Sequence, residues 1–356
     1  MIENNNNIEI VNKGSYILSQ LVRIWDHLSV HHKKQYLFVS ILMVFATFVE
    51  VVNLGAVVPF LGIITAPDQF FAKPFMQPFI DFLQISEPNQ LKLPLTILFI
   101  FSALFSSIIR SFLIFSMNRL SFSTGTYLSI NIYRRTLYQD YSVHVSRNSS
   151  EVINGIISKT STVIHGVISP ALVFISYFVQ LIIIITAVFL INYTFTLIIF
   201  CVFGILYMII IRVTSKKLKE NSRNIADQST QMVKALQEGL GGIRDIIIDG
   251  SQRFYCNLYG IADASLRKAQ WENIFISGSP LYVMEFIGIT FFSLLAYTMS
   301  LNQEGLQMAI PILGAMALGV RRIIPASQEL YHSYSAIKGS SASFQDVLDL
   351  LDQPLP

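Results

Sequence analysis

Apolar positions in this chain gather into long blocks instead of alternating with polar ones. Six blocks stand out: Tyr36 to Ile64, Leu95 to Met117, Val167 to Ile191, Phe195 to Val213, Leu281 to Met299 and Met308 to Ile324. Each is close to the ~20 residues a helix needs to cross a hydrocarbon core of roughly 30 Å. A seventh, shorter pattern precedes them. Between Ser15 and Val30, residues Ile17, Leu21, Ile24, Trp25 and Leu28 fall on one helical face, with His31, His32, Lys33 and Lys34 just after. That spacing predicts an amphipathic helix lying in the membrane interface. The opening MIENNNN reads as a polar tail.

The polar stretches between the blocks are very unequal. The connections at Asn192 and at 301–307 are short, whereas 118–166 and 214–279 are long. Arg119 to Gln139 and Lys216 to Gly239 contain no proline, so each flanking helix is expected to run on, at 1.5 Å per residue, for roughly 35–50 Å beyond the bilayer. Reversals are expected at Asp140 to Ser150 and at Gly239 to Gly250, where Ser/Asn or glycine clusters interrupt the pattern. The first short-side connection, Ala66 to Pro94, spaces Phe71, Phe75, Phe79 and Phe82 almost helically, which suggests a short interfacial helix or one packed on neighbouring spans.

Composition agrees with a membrane protein: 53% hydrophobic, 13% charged, mean hydropathy +0.54. The net charge of +3 lacks the dense positive stripe of a nucleic-acid binder. The two cysteines, Cys201 and Cys256, form no metal-ligand spacing. Positive charges are partitioned. Lys13, Arg23, Lys33 and Lys34 precede the first block, five lie between blocks two and three, and ten run from Arg212 to Lys268. Retention of Lys and Arg in cytoplasmic loops then predicts both termini and both long connections on the cytoplasmic side of a cell membrane.

Charged groups inside spans are costly and tend to face a bundle interior or a wet cavity. Here they are Glu50, Arg110, Glu285, Arg321 and Arg322. Counting down from the outer ends places Arg110 and Arg321 in the cytoplasmic half and Glu50, with Asn53, in the external half. Guanidinium forks suit a phosphate-bearing head group; pairing with Glu285 or snorkelling to the interface are the alternatives. Arg321 and Arg322 project about 100° apart, so at most one of them faces a lumen squarely. Glu50 and Asn53 share a face suited to an interhelical hydrogen-bond contact. Pro59 and Pro325 are expected to kink their helices.

Taken in order, VEVVNLGAVVPFLGII, LQEGLGGIRDIIIDGSQRFY, SPLYVMEF and ALGVRRIIPASQEL give the chain a resemblance to the transmembrane half of ABC exporters, most similar to the branch that flips lipid-linked oligosaccharides and polysaccharide precursors. The resemblance implies an all-α membrane protein: a 1–14 tail, an elbow helix at 15–35, a six-span domain at 36–335 and a linker at 336–356. It implies a dimer with a second copy or a homologous half-transporter, and ATP-binding domains docked on coupling segments carried by Val143, His144, Arg147, Ile243, Arg244, Asp245 and Asp249. It also implies an anionic lipid-pyrophosphate substrate near Arg110, Arg321, Arg322, Glu285 and Glu50.

This chain itself carries no catalytic or cofactor site. Gly239 to Gly242 is followed by Ile243 and Arg244 and so lacks the Lys-Ser/Thr of a phosphate-cradling loop. ATP and Mg²⁺ are expected on an ATPase domain joined beyond LLDQPLP or supplied separately. Export of peptides or drugs, and a membrane scaffold or receptor without transport, are the competing readings.

Overall fold

The computed structural model describes residues 19–65, 67–71, 74–83, 85, 87–191, 193–300 and 306–354. The tail, Ile17, Asn192 and residues 301–305 lie outside them. Every regular element among the described residues is helical. A short helix, α1 (19–27), leads into α2 (Val30–Thr65). There follow α3 (Lys92–Leu137), α4 (149–191), α5 (Tyr193–Gly241), α6 (Gln252–Gly278), α7 (Pro280–Ser300), α8 (Leu306–Gly339) and α9 (Ser341–Leu351).

Each of the six apolar blocks falls within one long helix. Among the described residues, three stretches are by themselves long and apolar enough to span a bilayer: Val30–Ile64, Pro88–Leu137 and Ser149–Thr186. Large apolar side chains such as Phe38, Ile41, Phe45 and Phe48 on α2, and Phe101, Leu104, Phe105 and Ile108 on α3, are exposed. In water such a belt would forfeit roughly 25 cal/mol per Å² of apolar surface; in lipid it costs nothing comparable.

The proline-free stretches do run on as helix. α3 continues to Leu137 before turning at Tyr138 to Asp140, and α5 continues to Gly241. At each far end the chain reverses through a short helix, Tyr141–Ser146 and Ile243–Asp249. Gly250 closes the second, at φ +67°, a left-handed conformation that a Cβ would strain, and its amide donates to Ile246 O. The returning arm of α4 departs from a plain α-helix, with two π segments at Gly155–Lys159 and Ile164–Ile168.

The helices pair as α4 with α8, α5 with α6, and α2 with α3. Val39, Met43, Leu113, Met117 and Leu172 lock α2, α3 and α4 together, and Ile184, Phe203, Met284, Ile323 and Ile324 lock α4, α5, α7 and α8. Beside Thr65, the short helices Pro67–Phe71 and Gln77–Leu83 cap the end of the bundle, where Ile63, Met76, Ile80, Leu91 and Leu95 form a small core with Phe71 against it. Pro59 and Pro325 both stand inside continuous helices.

The 336–356 segment, expected to be a linker, is largely the hub of the arms. Phe344, Val347, Leu348 and Leu351 of α9 are fully buried with Leu128 and Ile132 of α3, Val163, Val167 and Ile168 of α4, and Ile24 of α1. The i, i+3, i+4, i+7 spacing of those four residues makes α9 amphipathic, and its apolar stripe is what the arms close around. The elbow's apolar face is divided as a result. Ile24 and Leu28 are buried, while Val22 and Trp25 are exposed.

Candidate functional site

Glu50 stands at the centre of the bundle. It lies fifteen residues below Thr65, and Arg110 lies fifteen below Leu95, so both are about 22 Å from their outer ends. The placement of Glu50 in the external half and Arg110 in the cytoplasmic half is thus corrected: they share one level. The Glu50 side chain is only 6% exposed, and its Oε1 lies 2.8 Å from Arg322 Nη1. Its Oε2 accepts a hydrogen bond from Gln180 Nε2 at 2.8 Å and lies 3.9 Å from Arg110 Nη1.

Gln180 makes the knot continuous, because its own Oε1 accepts from Arg110 Nη1 at 3.3 Å. The Arg110 guanidinium also covers the Tyr177 ring, 4.8 Å from its centroid. A buried carboxylate is tolerable only when paired and hydrogen-bonded, and here α2, α3, α4 and α8 all contribute to that pairing. One turn along α2, a neutral pair links the same two helices as Glu50 and Arg110, where Ser102 Oγ donates to Asn53 Oδ1 at 3.3 Å.

Glu285 does not take the role of counter-ion; it is exposed on α7, and the carboxylate that meets an arginine is Glu50. The paired arginine of α8 is Arg322. Arg321 is exposed, and among the described residues it has no ion-pair partner. Gln180 and Tyr177 were not among the residues singled out from the sequence. The signal was available: Gln180 is a lone amide in SYFVQLIIII, and polar side chains at such depth generally bond across helices.

Two positive charges therefore meet one negative charge, with Arg321 adding a third cation nearby. The Arg322 side chain is half exposed, so it remains open to a further partner. A cavity of about 350 Å³ between α4, α5 and α8 is walled by Phe174, Phe178, Phe203, Tyr207, Tyr331 and Tyr334, and Ile323, the residue after Arg322, is in its lining. A cavity so lined suits the apolar part of a ligand.

At the far ends of the arms, Tyr141–Ser146 and Ile243–Asp249 present apolar side chains to solvent. Tyr141, Val145, Ile243, Ile247 and Ile248 are exposed, whereas Ile246 anchors its helix as a buried residue. His144, Arg147, Arg244, Asp245 and Asp249 are exposed alongside them, and Val143 is half-buried. Contiguous exposed apolar groups rimmed by charge are the ordinary mark of a protein contact. The arms that carry them are cross-braced: Asn154 Nδ2 donates to Thr230 Oγ1 and Ser229 Oγ donates to Asn154 Oδ1, each at 3.0 Å.

Residues 36–320 match the family described as ABC transporter transmembrane region. The chain belongs to that family. Membership accounts for the exposed apolar belt, since an ABC membrane domain is an integral membrane protein and functions in transport. It implies, in general, pairing with an ATP-binding domain and dimerisation. No curated protein matches the chain.

A polar clamp also joins the elbow to α9 in this ABC membrane domain. Arg23 bonds Asp352 and approaches Asp349 at 3.6 Å, His27 Nε2 lies 2.7 Å from Asp352 Oδ1, and Gln20 Nε2 donates to Gln345 Oε1 at 2.8 Å. Burial opposes the charged form of Asp352, yet hydrogen bonds from Arg23 and His27 outweigh it and hold the carboxyl below its ordinary value. No group of three or more potential metal ligands occurs among the described residues.

Proposed function

We infer that this chain is the six-span membrane half of an ATP-driven exporter that carries an amphipathic anion across the membrane by alternating access. The substrate class that fits best is a lipid-linked oligosaccharide or polysaccharide precursor, flipped from the inner to the outer leaflet. Two copies, or this chain and a homologous half-transporter, would enclose the pathway, with both termini cytoplasmic. ATP-binding domains would dock at Val143, His144, Arg147, Ile243, Arg244, Asp245 and Asp249, and their closure would turn arm movement into rotation of the spans.

The observation carrying this reading is the surplus of guanidinium over carboxylate at Glu50, in a bundle that also holds an apolar cavity lined by Ile323. Glu50 satisfies at most one of the two arginines it touches, and Arg321 is left to a ligand. A pyrophosphate bearing a long lipid meets both requirements. The aromatic wall of Phe174, Phe178, Tyr207 and Tyr331 favours a second reading, export of hydrophobic drugs or peptides.

Reconstitution with the cognate ATPase in liposomes separates the two. Stimulation of ATP hydrolysis by polyprenyl-pyrophosphate oligosaccharide, with loss of flipping in Arg321→Ala plus Arg322→Ala while basal hydrolysis persists, is the expected result. Stimulation only by hydrophobic peptides or drugs would transfer the assignment to the second reading.

A further inference from the structure

A second cavity, about 460 Å³, opens between α4, α5, α6 and α8 on the arm side of the bundle. Its chemistry differs from that of every charged part of the molecule. His165, Gln270, Asn273, His332 and Ser335 line it, and no Asp, Glu, Lys or Arg does. Ser335 is 1% exposed, and its hydroxyl has no hydrogen-bond partner. A buried hydroxyl left in that condition is destabilising, and a ligand hydroxyl would recover the loss. Ile225 and Ile274 supply apolar wall between the polar groups.

The cavity is aligned with a cation. At 100° per residue, His332, Ser335 and Gly339 all fall within about 40° of the line that runs down α8 from Arg321. Arg322 points about 100° away from that line, toward Glu50. One face of α8 thus presents an exposed guanidinium and, roughly 16 Å further along, an uncharged pocket of hydroxyl, amide and imidazole groups.

We propose that this pocket binds a neutral polyhydroxylated group, chemically a saccharide, whose anionic attachment is held by Arg321. The carbonyls of Gln270 and Asn273 already accept from Arg267 at 3.3 Å and Asn221 at 3.0 Å, so these two present amide N–H groups to ring hydroxyls, His332 and Ser335 exchange further hydrogen bonds, and the C–H faces of the ring pack on Ile225 and Ile274. The Arg267 guanidinium reaches the rim by donating to Gln270 Oε1 at 3.3 Å, but it is paired with Asp263 at 3.2 Å, so the pocket offers a free anion no unpaired cation, and a lipid tail would leave its polar groups unpaired. The proposal rests on the transporter reading above and adds to it the place where the sugar is read.

The test uses the full chain with its ATPase in liposomes and compares polyprenyl-pyrophosphate oligosaccharide with polyprenyl pyrophosphate lacking sugar. The unmodified protein is expected to respond to the glycosylated lipid at about tenfold lower concentration, the equivalent of one or two net hydrogen bonds. Gln270→Leu combined with His332→Leu should abolish that preference and leave the response to the sugar-free lipid intact. Arg321→Gln should weaken the response to both lipids equally. Neither Gln270 nor His332 is buried, and an unchanged melting temperature verifies folding.

A double variant that keeps the tenfold preference, or an unmodified protein that both lipids stimulate at the same concentration, overturns the proposal. If neither lipid stimulates hydrolysis, the transporter reading fails instead. Saturation-transfer NMR with free maltoheptaose then judges the pocket by itself: signals lost in the double variant uphold it, and equal signals refute it.

Discussion

Replacing Glu50 by Gln tests the centre of the bundle most directly. Unit charges about 4 Å apart attract by roughly 4 kcal/mol at an effective dielectric of 20. Arg322 is half exposed, however, and Glu50 almost wholly buried. The pair therefore belongs between surface bridges, worth about 0–1 kcal/mol, and buried ones, whose disruption costs about 3–5. Scaling for exposure gives a coupling of about 2 kcal/mol.

A double-mutant cycle of Glu50→Gln, Arg322→Gln and the combination, followed by SDS-driven unfolding in mixed micelles, measures that coupling free of each mutation's own cost. The single variants should each lose stability, and the double variant should lose less than their sum. Glu50→Gln also retains an acceptor for Gln180 and removes only charge, so its net gain of one positive charge should tighten binding of anionic lipid. Additivity within about 0.5 kcal/mol would show that the two side chains do not interact, and the charge surplus inferred at this site would lose its basis.

Three further outcomes follow from the arms. Phe344→Ala removes a fully buried ring from the hub, and a loss of about 3–5 kcal/mol is expected in the same unfolding assay, against little for an exposed position such as Val145→Ala. Gly166→Ala places a methyl 2.7 Å from Ser340 Cβ and closer still to its hydroxyl, so it should separate α4 from the α8–α9 junction and lower the melting temperature by several degrees. The depressed Asp352 carboxyl binds fewer protons folded than unfolded, so its stabilisation is full above about pH 4, the unfolded-state value, and disappears as pH falls through the folded value. Amide exchange in α1 and α9 should rise over that acid range, and Asp352→Asn should show the faster exchange already at neutral pH.

Local features were the legible ones. The arms could be read because Arg119 to Gln139 and Lys216 to Gly239 contain nothing that stops a helix, and their reversals because Gly239 to Gly250 and Asp140 to Ser150 contain what does. The Glu50–Arg322 contact could not, since it joins residues 272 positions apart and no periodicity encodes which carboxylate reaches which arginine. Depth counted from uncertain helix ends then set Glu50 a half-membrane away from Arg110. The π segments of α4 left no pattern in the apolar spacing, because a wide turn depends on what packs against it. α9 is the instructive case: Phe344, Val347, Leu348 and Leu351 form a helical stripe in the sequence, but a linker expected at 336–356 gives no reason to seek its partners in the arms.

That hub has a mechanical meaning. α9 is gripped at once by α1, α3 and α4 through one dry core, and by Arg135 Nη1 bonding Gln353 O at 2.5 Å. Three helices gripping one element act as springs in parallel, whose stiffnesses add. A pull applied near Asp352 would therefore not stretch α8 lengthwise; it would be shared among the elbow and both arms of the first long hairpin, displacing them together by a smaller amount.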